Sequence, residues 1–486
     1  MRRSAGSMTI ASLLLTTLLV ATVILMPAPV LAQHYQDDFP PEELEARWEK
    51  VFDQIGDNAI AIVQGATQAS GFIMPRQSNS FYYLSGVETP HSYLLLDGRN
   101  RTVTLYLPPR NERLERSEGK VLSADDVDLV KRLVGVDEVK STEAMAGDWP
   151  RELGRTAIYT PFAPAEGQGQ SRGEMVSANA SIASDFWDGR LSRESRFVEL
   201  LKARHPRNEI RNLSPILDEM RNIKSPREIA LIRRASQLAG LGVMDAIRST
   251  QPGVFEYQLD AAARYVFLVN GARLEGYRSI TASGTDNIHN GHYYRNTSEL
   301  QDGDLVLMDF APDYHYYVSD IGRMWPVNGK FNDWQRELLQ FVLDYRNALL
   351  KRIRPGVTAD QIMEEAALEM EEVFARTTFS KLIYEKAART LVETGGGAFS
   401  HTVGMAVHDV GRYRSEPLQP GLVFAFDPQL WVHEENLYIR YEDTLVITED
   451  GFENFTDFLP SELDEIEALV GEPGIVQGFP PTPPHR

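Results

Sequence analysis

Apolar positions change period along this chain, and the change marks its organisation. Short runs come first. Ala59 to Val63, Phe81 to Leu84, Ser92 to Leu96 and Val103 to Leu107 are rich in β-branched, aromatic and aliphatic residues, and turn formers such as Asp97-Gly-Arg-Asn100 punctuate them. Such runs predict strands. An acidic, helix-prone stretch over 38–52 precedes them, and strands alternate with polar helical stretches as far as Arg211. Asn212-Leu-Ser-Pro215 then breaks the pattern. The first half therefore reads as a mixed α/β domain over 38–215.

From Ile216 the period lengthens. An amphipathic stretch runs to Ile223, and Ser225-Pro226-Arg227-Glu228 carries a helix-start signature, with Ser at the N-cap and Pro at the first helical position. That helix is expected to reach Ile247, with Ile229, Ile232, Ala235 and Leu238 on one face. Further helices are expected at 255–270, 333–353 and 359–377, with Pro355-Gly356 between the last two. From about Leu391 the pattern returns to strands and turns. A second domain over 216–470 follows from this, with a proline-rich tail over 474–486, of which Gly478 to Arg486 is expected to be disordered.

Composition narrows the class. A chain of 486 residues, 43% hydrophobic and 9% aromatic, has the material for two or three cored domains. Its formal net charge of −20 argues against nucleic acid and anionic membrane surfaces as partners. Without cysteine, disulfides and thiolate metal sites are excluded, so any metal must sit on oxygen and imidazole. Arg2-Arg3, the apolar run Thr9 to Met26 and Val30-Leu31-Ala32 have the layout of a secretory signal peptide over 1–32. Its cleavage would leave no stable membrane span, and the mature protein is expected to be exported, either periplasmic or secreted. An uncleaved anchor is the alternative, since the run approaches spanning length.

The candidate chemistry centres on Val306-Leu-Met-Asp309 and Ser319-Asp320. Asp309 ends the apolar run Leu305 to Met308, and Tyr314 to Val318 is a second β-rich run across the turn at Ala311-Pro-Asp313. The two runs suggest an antiparallel hairpin that brings the carboxylates together. Like charges at strand ends need a cation or a shared proton. Three later stretches offer further ligands: Ser400-His401, Phe426-Asp427-Pro428 and Arg440-Tyr-Glu442-Asp443. In the last, strand alternation sets Arg440 and Glu442 on one face and Tyr441 and Asp443 on the other. Asp309, Asp320, His401, Asp427 and Glu442 make four carboxylates and one imidazole, a set matched to two divalent cations of the Mn, Co or Zn kind. A pair of such ions can share a water, lower its pKa and clamp a tetrahedral intermediate.

In order and local context these residues resemble the pita-bread metallopeptidases, the family of methionine aminopeptidase, aminopeptidase P and prolidase. Arg221-Asn-Ile-Lys-Ser-Pro-Arg-Glu-Ile and Gly303-Asp-Leu-Val-Leu-Met-Asp309 resemble the aminopeptidase P and prolidase branch. Pro75-Arg76 to Gly86 and Leu107-Pro-Pro-Arg110 resemble the aminopeptidase P N-terminal domain, which methionine aminopeptidase lacks. The implied fold class is α+β: a creatinase-like mixed α/β N-terminal domain followed by a pita-bread catalytic domain. The resemblance implies metal ligation by Asp309, Asp320, His401, Asp427 and Glu442, with Asp320 and Glu442 as bridges. It implies a proton-shuttling role for His292, substrate contact beside the scissile bond for His408, and support of the bridging carboxylate by Arg440. The expected cofactor is two divalent ions per subunit, Mn2+ first and Co2+ or Zn2+ as alternatives. The expected activity is removal of the first residue from peptides with proline in second position. A homodimer or homotetramer is expected from the habit of relatives.

Two stretches depart from the family. Asp427-Pro428-Gln429 stands where relatives have Glu-Pro-Gly, and Gly397 stands where many have a histidine. A carboxylate one methylene shorter either draws the backbone inward or weakens one of its roles, ligand or general base, and misplacement by about an ångström can cost on the order of a hundredfold in rate. Two rivals stay open on that account: a prolidase-like dipeptidase, and a catalytically weak pita-bread protein that binds peptides. Asp409 and Asp443 are read as non-ligands, His289, His315 and His433 as structural or exposed, and Tyr314, Tyr316 and Tyr317 as packing.

Overall fold

The computed structural model describes residues 38–69, 71–152 and 157–479; the expected signal peptide and the last residues of the tail lie outside them. Among the described residues no helix is long and apolar enough to cross a membrane.

The first half is one six-stranded sheet in the order β4-β3-β2-β1-β5-β6. Its strands are β1 (Ala59–Gln64), β2 (Tyr93–Asp97), β3 (Thr102–Leu107), β4 (Glu138–Ser141), β5 (Ala157–Thr160) and β6 (Glu209–Asn212). The first three form an antiparallel meander, and the outer ones add in parallel. Helix α1 (Pro41–Ile55) buries Leu44, Trp48, Val51 and Phe52, the apolar stripe expected of an amphipathic helix. The expected strand at Phe81 to Leu84 is instead the helix α2 (Asn79–Ser85), closed by Gly86 in a left-handed conformation at φ 63°. Phe81, Tyr82, Tyr83 and Leu84 are all buried there, so no alternation exists to demand a strand. A polar helix, α3 (Arg172–Ser184), buries none of its residues.

The second half places helices around antiparallel sheets. After α4 (Ser214–Asn222), α5 (Pro226–Arg248) starts with the capping box written in its sequence: Ser225 Oγ accepts from Glu228 N, and the Glu228 carboxylate accepts from Ser225 N. The expected helices at 255–270, 333–353 and 359–377 appear as α6 (Glu256–Val269), α7 (Asp333–Leu350) and α8 (Ala359–Arg376). Two helices are additions to the expected set: α9 (Leu382–Thr394), of which only the last residues enter the expected strand-and-turn region, and α10 (Leu463–Val470), which lies within it. The start of the proline-rich tail is helical: α11 (Ile475–Gly478) docks on α5, where Asp245 Oδ2 accepts from Ile475 N at 3.3 Å.

Three sheets carry the acidic motifs. Strands β8 (Ile280–Ser283), β9 (Leu305–Asp309) and β11 (Gly322–Pro326) form one, in the order β11-β9-β8. The short β7 (Leu274–Glu275) pairs with β10 (Pro312–Asp313). Strands β12 (Phe399–Thr402), β13 (Val423–Phe426), β16 (Asp443–Ile447) and β17 (Phe452–Asn454) form a second sheet, and β14 (Gln429–Val432) pairs with β15 (Leu437–Arg440). The expected hairpin partner is corrected here. Strand β9 pairs with β11, Asp309 opposite Gly322, and not with Tyr314 to Val318. His315 and Tyr316 take positive φ of 50° and 74°, which folds that run into a tight turn with Tyr314 bridged to Tyr317. Its rings serve packing between the halves: Tyr316 stacks on Tyr82, and Tyr317 donates to Glu228 at 2.9 Å. One hydrophobic cluster contains Leu44, Leu96, Leu217, Ile232, Tyr317 and Val446, so the two halves share a core.

Candidate metal centre and active site

Asp309 ends β9, and Asp320 sits just ahead of β11, on the same end of the sheet. Both are buried. The Tyr277 hydroxyl stands between them, 2.6 Å from Asp309 Oδ1 and 3.0 Å from Asp320 Oδ1. The Asp320 backbone is fixed from β16: its N–H donates to Thr444 Oγ1 at 2.9 Å, and Thr444 Oγ1 donates back to its carbonyl at 2.7 Å. His401, on β12, has Nδ1 3.2 Å from its neighbour's carbonyl on Thr402, and Nε2 3.3 Å from Asp320 Oδ2. The tautomer that gives Nδ1–H to that carbonyl leaves the Nε2 lone pair facing Asp320. Glu442 is clamped by a bridge to Gly322, whose missing side chain matters: a Cβ there would lie 3.0 Å from Glu442 Oε2 and 3.3 Å from Glu442 Cβ.

Asp320, His401 and Glu442 each present a ligand atom, all within 4.8 Å of one another. Asp309 and Asp427 stand beside this trio, held by Arg440. Its Nη1 donates to Asp309 Oδ2 at 2.8 Å, its Nε and Nη2 to the two oxygens of Asp427 at 3.0 and 2.8 Å, and Nη2 lies 2.5 Å from Glu442 Oε2. Strand alternation at 440–443 works as read. Tyr441 and Asp443 are buried on the far side, where Asp443 accepts from Arg323 and from Arg346 of α7. His408 packs on His401 with ring centroids 4.2 Å apart, and His292 lies 6.5 Å from His408. The eight candidate site residues, Asp309, Asp320, His401, Asp427, Glu442, Arg440, His408 and His292, thus form one connected cluster.

Residues 230–449 match the family model for metallopeptidase family M24, and residues 44–159 match that for the aminopeptidase P N-terminal domain. Across 460 residues the chain is 31% identical to the Xaa-Pro aminopeptidase of Haemophilus influenzae, a match covering 90% of this chain and 99% of that one. The chain belongs to metallopeptidase family M24. The Escherichia coli Xaa-Pro aminopeptidase is 32% identical over 457 residues, 88% of this chain and 97% of that one. A solved structure of zinc-substituted E. coli aminopeptidase P with product superposes at a TM-score of 0.71 and 28% identity, covering 89% of this chain and 98% of that one.

As an M24 metalloaminopeptidase, this chain is expected to carry divalent metal, and its donor set fits. Three buried carboxylates face one guanidinium, a fourth, Asp320, faces His401, and Glu442 Oε2 has the ion pair with Arg440 but no hydrogen bond. Burial and mutual repulsion push Asp309, Asp427 and Glu442 above the usual carboxylate range, against the pull of Arg440. Asp320 is the exception: burial raises it, but His401 and Arg440 overcome this and hold it low. His401 is raised, since Asp320 outweighs the effect of burial. His292 is lowered by burial and then by its neighbours His408 and Arg440. Such a site is short of positive charge.

Sequence reasoning missed several participants of this M24 site. Tyr277 lies in no motif that carries charge. Ser171 and Glu174 come from the first half: Ser171 Oγ accepts from His408 N at 3.2 Å, and Glu174 Oε1 lies 2.8 Å from His408 Nδ1. Asp409, expected to be a turn residue or indirect support, is fully buried and paired with Arg221 and Lys224 of the Arg221-Asn-Ile-Lys motif. The charge spacing of that motif was the only signal available for this contact.

Proposed function

We propose that the protein is an exported Xaa-Pro aminopeptidase that uses two divalent cations to release the first residue of peptides with proline in second position. The convergence of Asp309, Asp320, His401, Asp427 and Glu442 supports it most directly, since three carboxylates meet around Arg440 and the fourth, Asp320, meets His401. Bound divalent cations would polarise the scissile carbonyl and lower the pKa of the attacking water. Asp427 accepts the proton of that water, and Arg440 keeps its carboxylate in plane through two hydrogen bonds. His292, at the exposed side of the cleft, donates to the developing oxyanion. His408, held at Nδ1 by Glu174, turns Nε2 toward the leaving proline nitrogen. Export rests on the leader over 1–32, and a homodimer or homotetramer on the habit of relatives.

One observation favours a second reading, a weakly catalytic peptide binder: both Asp427 oxygens are already engaged by Arg440, and Gln429 donates to one of them. The test is hydrolysis of Xaa-Pro-Xaa tripeptides, Xaa-Pro dipeptides and Xaa-Ala-Xaa controls by chelated protein reloaded with Mn2+, Co2+ or Zn2+. Metal-dependent release of the first residue from proline tripeptides alone supports the proposal. Turnover confined to dipeptides makes the protein a dipeptidase, and retention of peptide without turnover makes it a binder.

A further inference from the structure

The two departures at 397 and 427–429 meet in space. Gln429 opens β14, its N–H donating to Gly396 O at 2.9 Å, and its side-chain amide turns back to donate from Nε2 to Asp427 Oδ2. That amide lies over Gly397. A Cβ built on Gly397 would be 3.4 Å from both Cδ and Nε2 of Gln429 and 3.5 Å from the Asp427 carbonyl oxygen. Gly397 also holds φ +81°, which a side chain at this position would strain. A methyl at 397 would sit in ordinary contact with the Gln429 amide, so that amide borders the space a larger side chain at 397 would enter. The shorter carboxylate, the glutamine and the glycine thus lie side by side.

We infer that Gln429 is a positioning residue for Asp427: its amide, seated in the space above Gly397, supplies from the side the constraint that a longer carboxylate would obtain from its own reach. Arg440 fixes Asp427 from one edge through both oxygens, and Gln429 donates to Oδ2 from another. A carboxylate held from two directions has one orientation left, which a metal ligand and proton acceptor requires. The catalytic part of this inference rests on the proposed peptidase reading; the metal-binding part does not.

The experiment is a double-mutant cycle of Gln429→Gly and Asp427→Glu in the full chain, read by Mn2+ titration calorimetry, by kcat and KM on Xaa-Pro-Xaa tripeptides, and by thermal melting. Gln429→Gly is expected to weaken Mn2+ binding by about 10-fold to 100-fold, the range for removing a group that orients a ligand, and to lower kcat more than it raises KM, with little change in melting. Asp427→Glu alone is expected to lose Mn2+ affinity too, because the longer side chain meets the Gln429 amide. The double variant is expected to recover both, since glycine at 429 makes room for glutamate at 427. Wild-type Mn2+ affinity in Gln429→Gly, or strictly additive losses in the double variant, would overturn the inference. If no variant, wild type included, cleaves any tripeptide, the peptidase reading falls while the Mn2+ cycle still decides the role of Gln429.

Discussion

Arg221→Met tests the charge cluster that ties the first half to the loop carrying His408. Arg221 is buried to 1% exposure, donating to Glu166 Oε2 at 2.9 Å and to Asp409 Oδ1, and both acids are equally buried. Methionine keeps the aliphatic bulk and removes the charge. Of the ion pairs among the described residues, Glu166 then keeps that with Arg172 at 3.1 Å, and Asp409 that with Lys224 at 3.4 Å. Breaking a buried pair by removing one partner costs about 3–5 kcal/mol, because a charge is left uncompensated. For a domain of this size that lowers the melting temperature by on the order of 10 °C. The pH dependence has a definite sign. Burial would raise the Asp409 carboxyl, but Arg221 and then Lys224 overcome it and hold it below its ordinary value. Its contribution to wild-type stability is therefore present above the unfolded value of about 3.9 and lost as pH falls through the folded value. In the variant the carboxyl rises instead, so protonation in mild acid relieves the defect. Thermal melts of both proteins between about pH 7.5 and pH 4 should show the deficit shrinking as pH falls. A deficit under about 1 kcal/mol at neutral pH, the level of an exposed pair, or one equally large in acid, would refute the reasoning.

Three further outcomes are expected. Tyr277→Phe removes the hydroxyl between Asp309 and Asp320, and Mn2+ affinity measured by titration should fall by at least about 10-fold. Chelation should abolish peptidase activity and lower the melting temperature, since an ion at about 100 times its Kd adds about 2.7 kcal/mol; an unchanged melt would mean that the acid cluster binds no ion in the folded chain. Glu174→Gln should lower kcat several-fold by freeing the His408 ring, with a stability change below about 0.5 kcal/mol because the pair is largely exposed. A large shift in its melt would make Glu174 structural instead.

Some of this was open to a reader of the sequence because it depends on neighbours along the chain. The capping box at Ser225 and Glu228 is local, and so are the period of α5 and the opposite faces of Glu442 and Asp443. Asp309 and Asp320 came together as expected, yet through the wrong strand: period-2 runs identify strands but do not say which pair. Tyr316 and Tyr317 look like a return strand and are packing between halves, because the left-handed residues at 315 and 316 turn the chain before pairing starts. Residues 79–85 are buried on all sides, so their β-rich composition carried no periodic signal, and tertiary burial overrode propensity.

The sequence alone determined the two-part organisation, the ordered acid and histidine set, and the oxygen and imidazole chemistry left open by the absence of cysteine. Each of these follows from residue type and from spacing along one chain. Only the tertiary structure decided that Arg440 gathers Asp309, Asp427 and Glu442, that Tyr277 stands between two carboxylates, that Glu174 reaches His408 from the other half, and that Gln429 fills the space over Gly397. These contacts join residues brought near by a shared core and by strand pairing, and burial then makes each charge depend on partners that are distant in sequence or set by the fold.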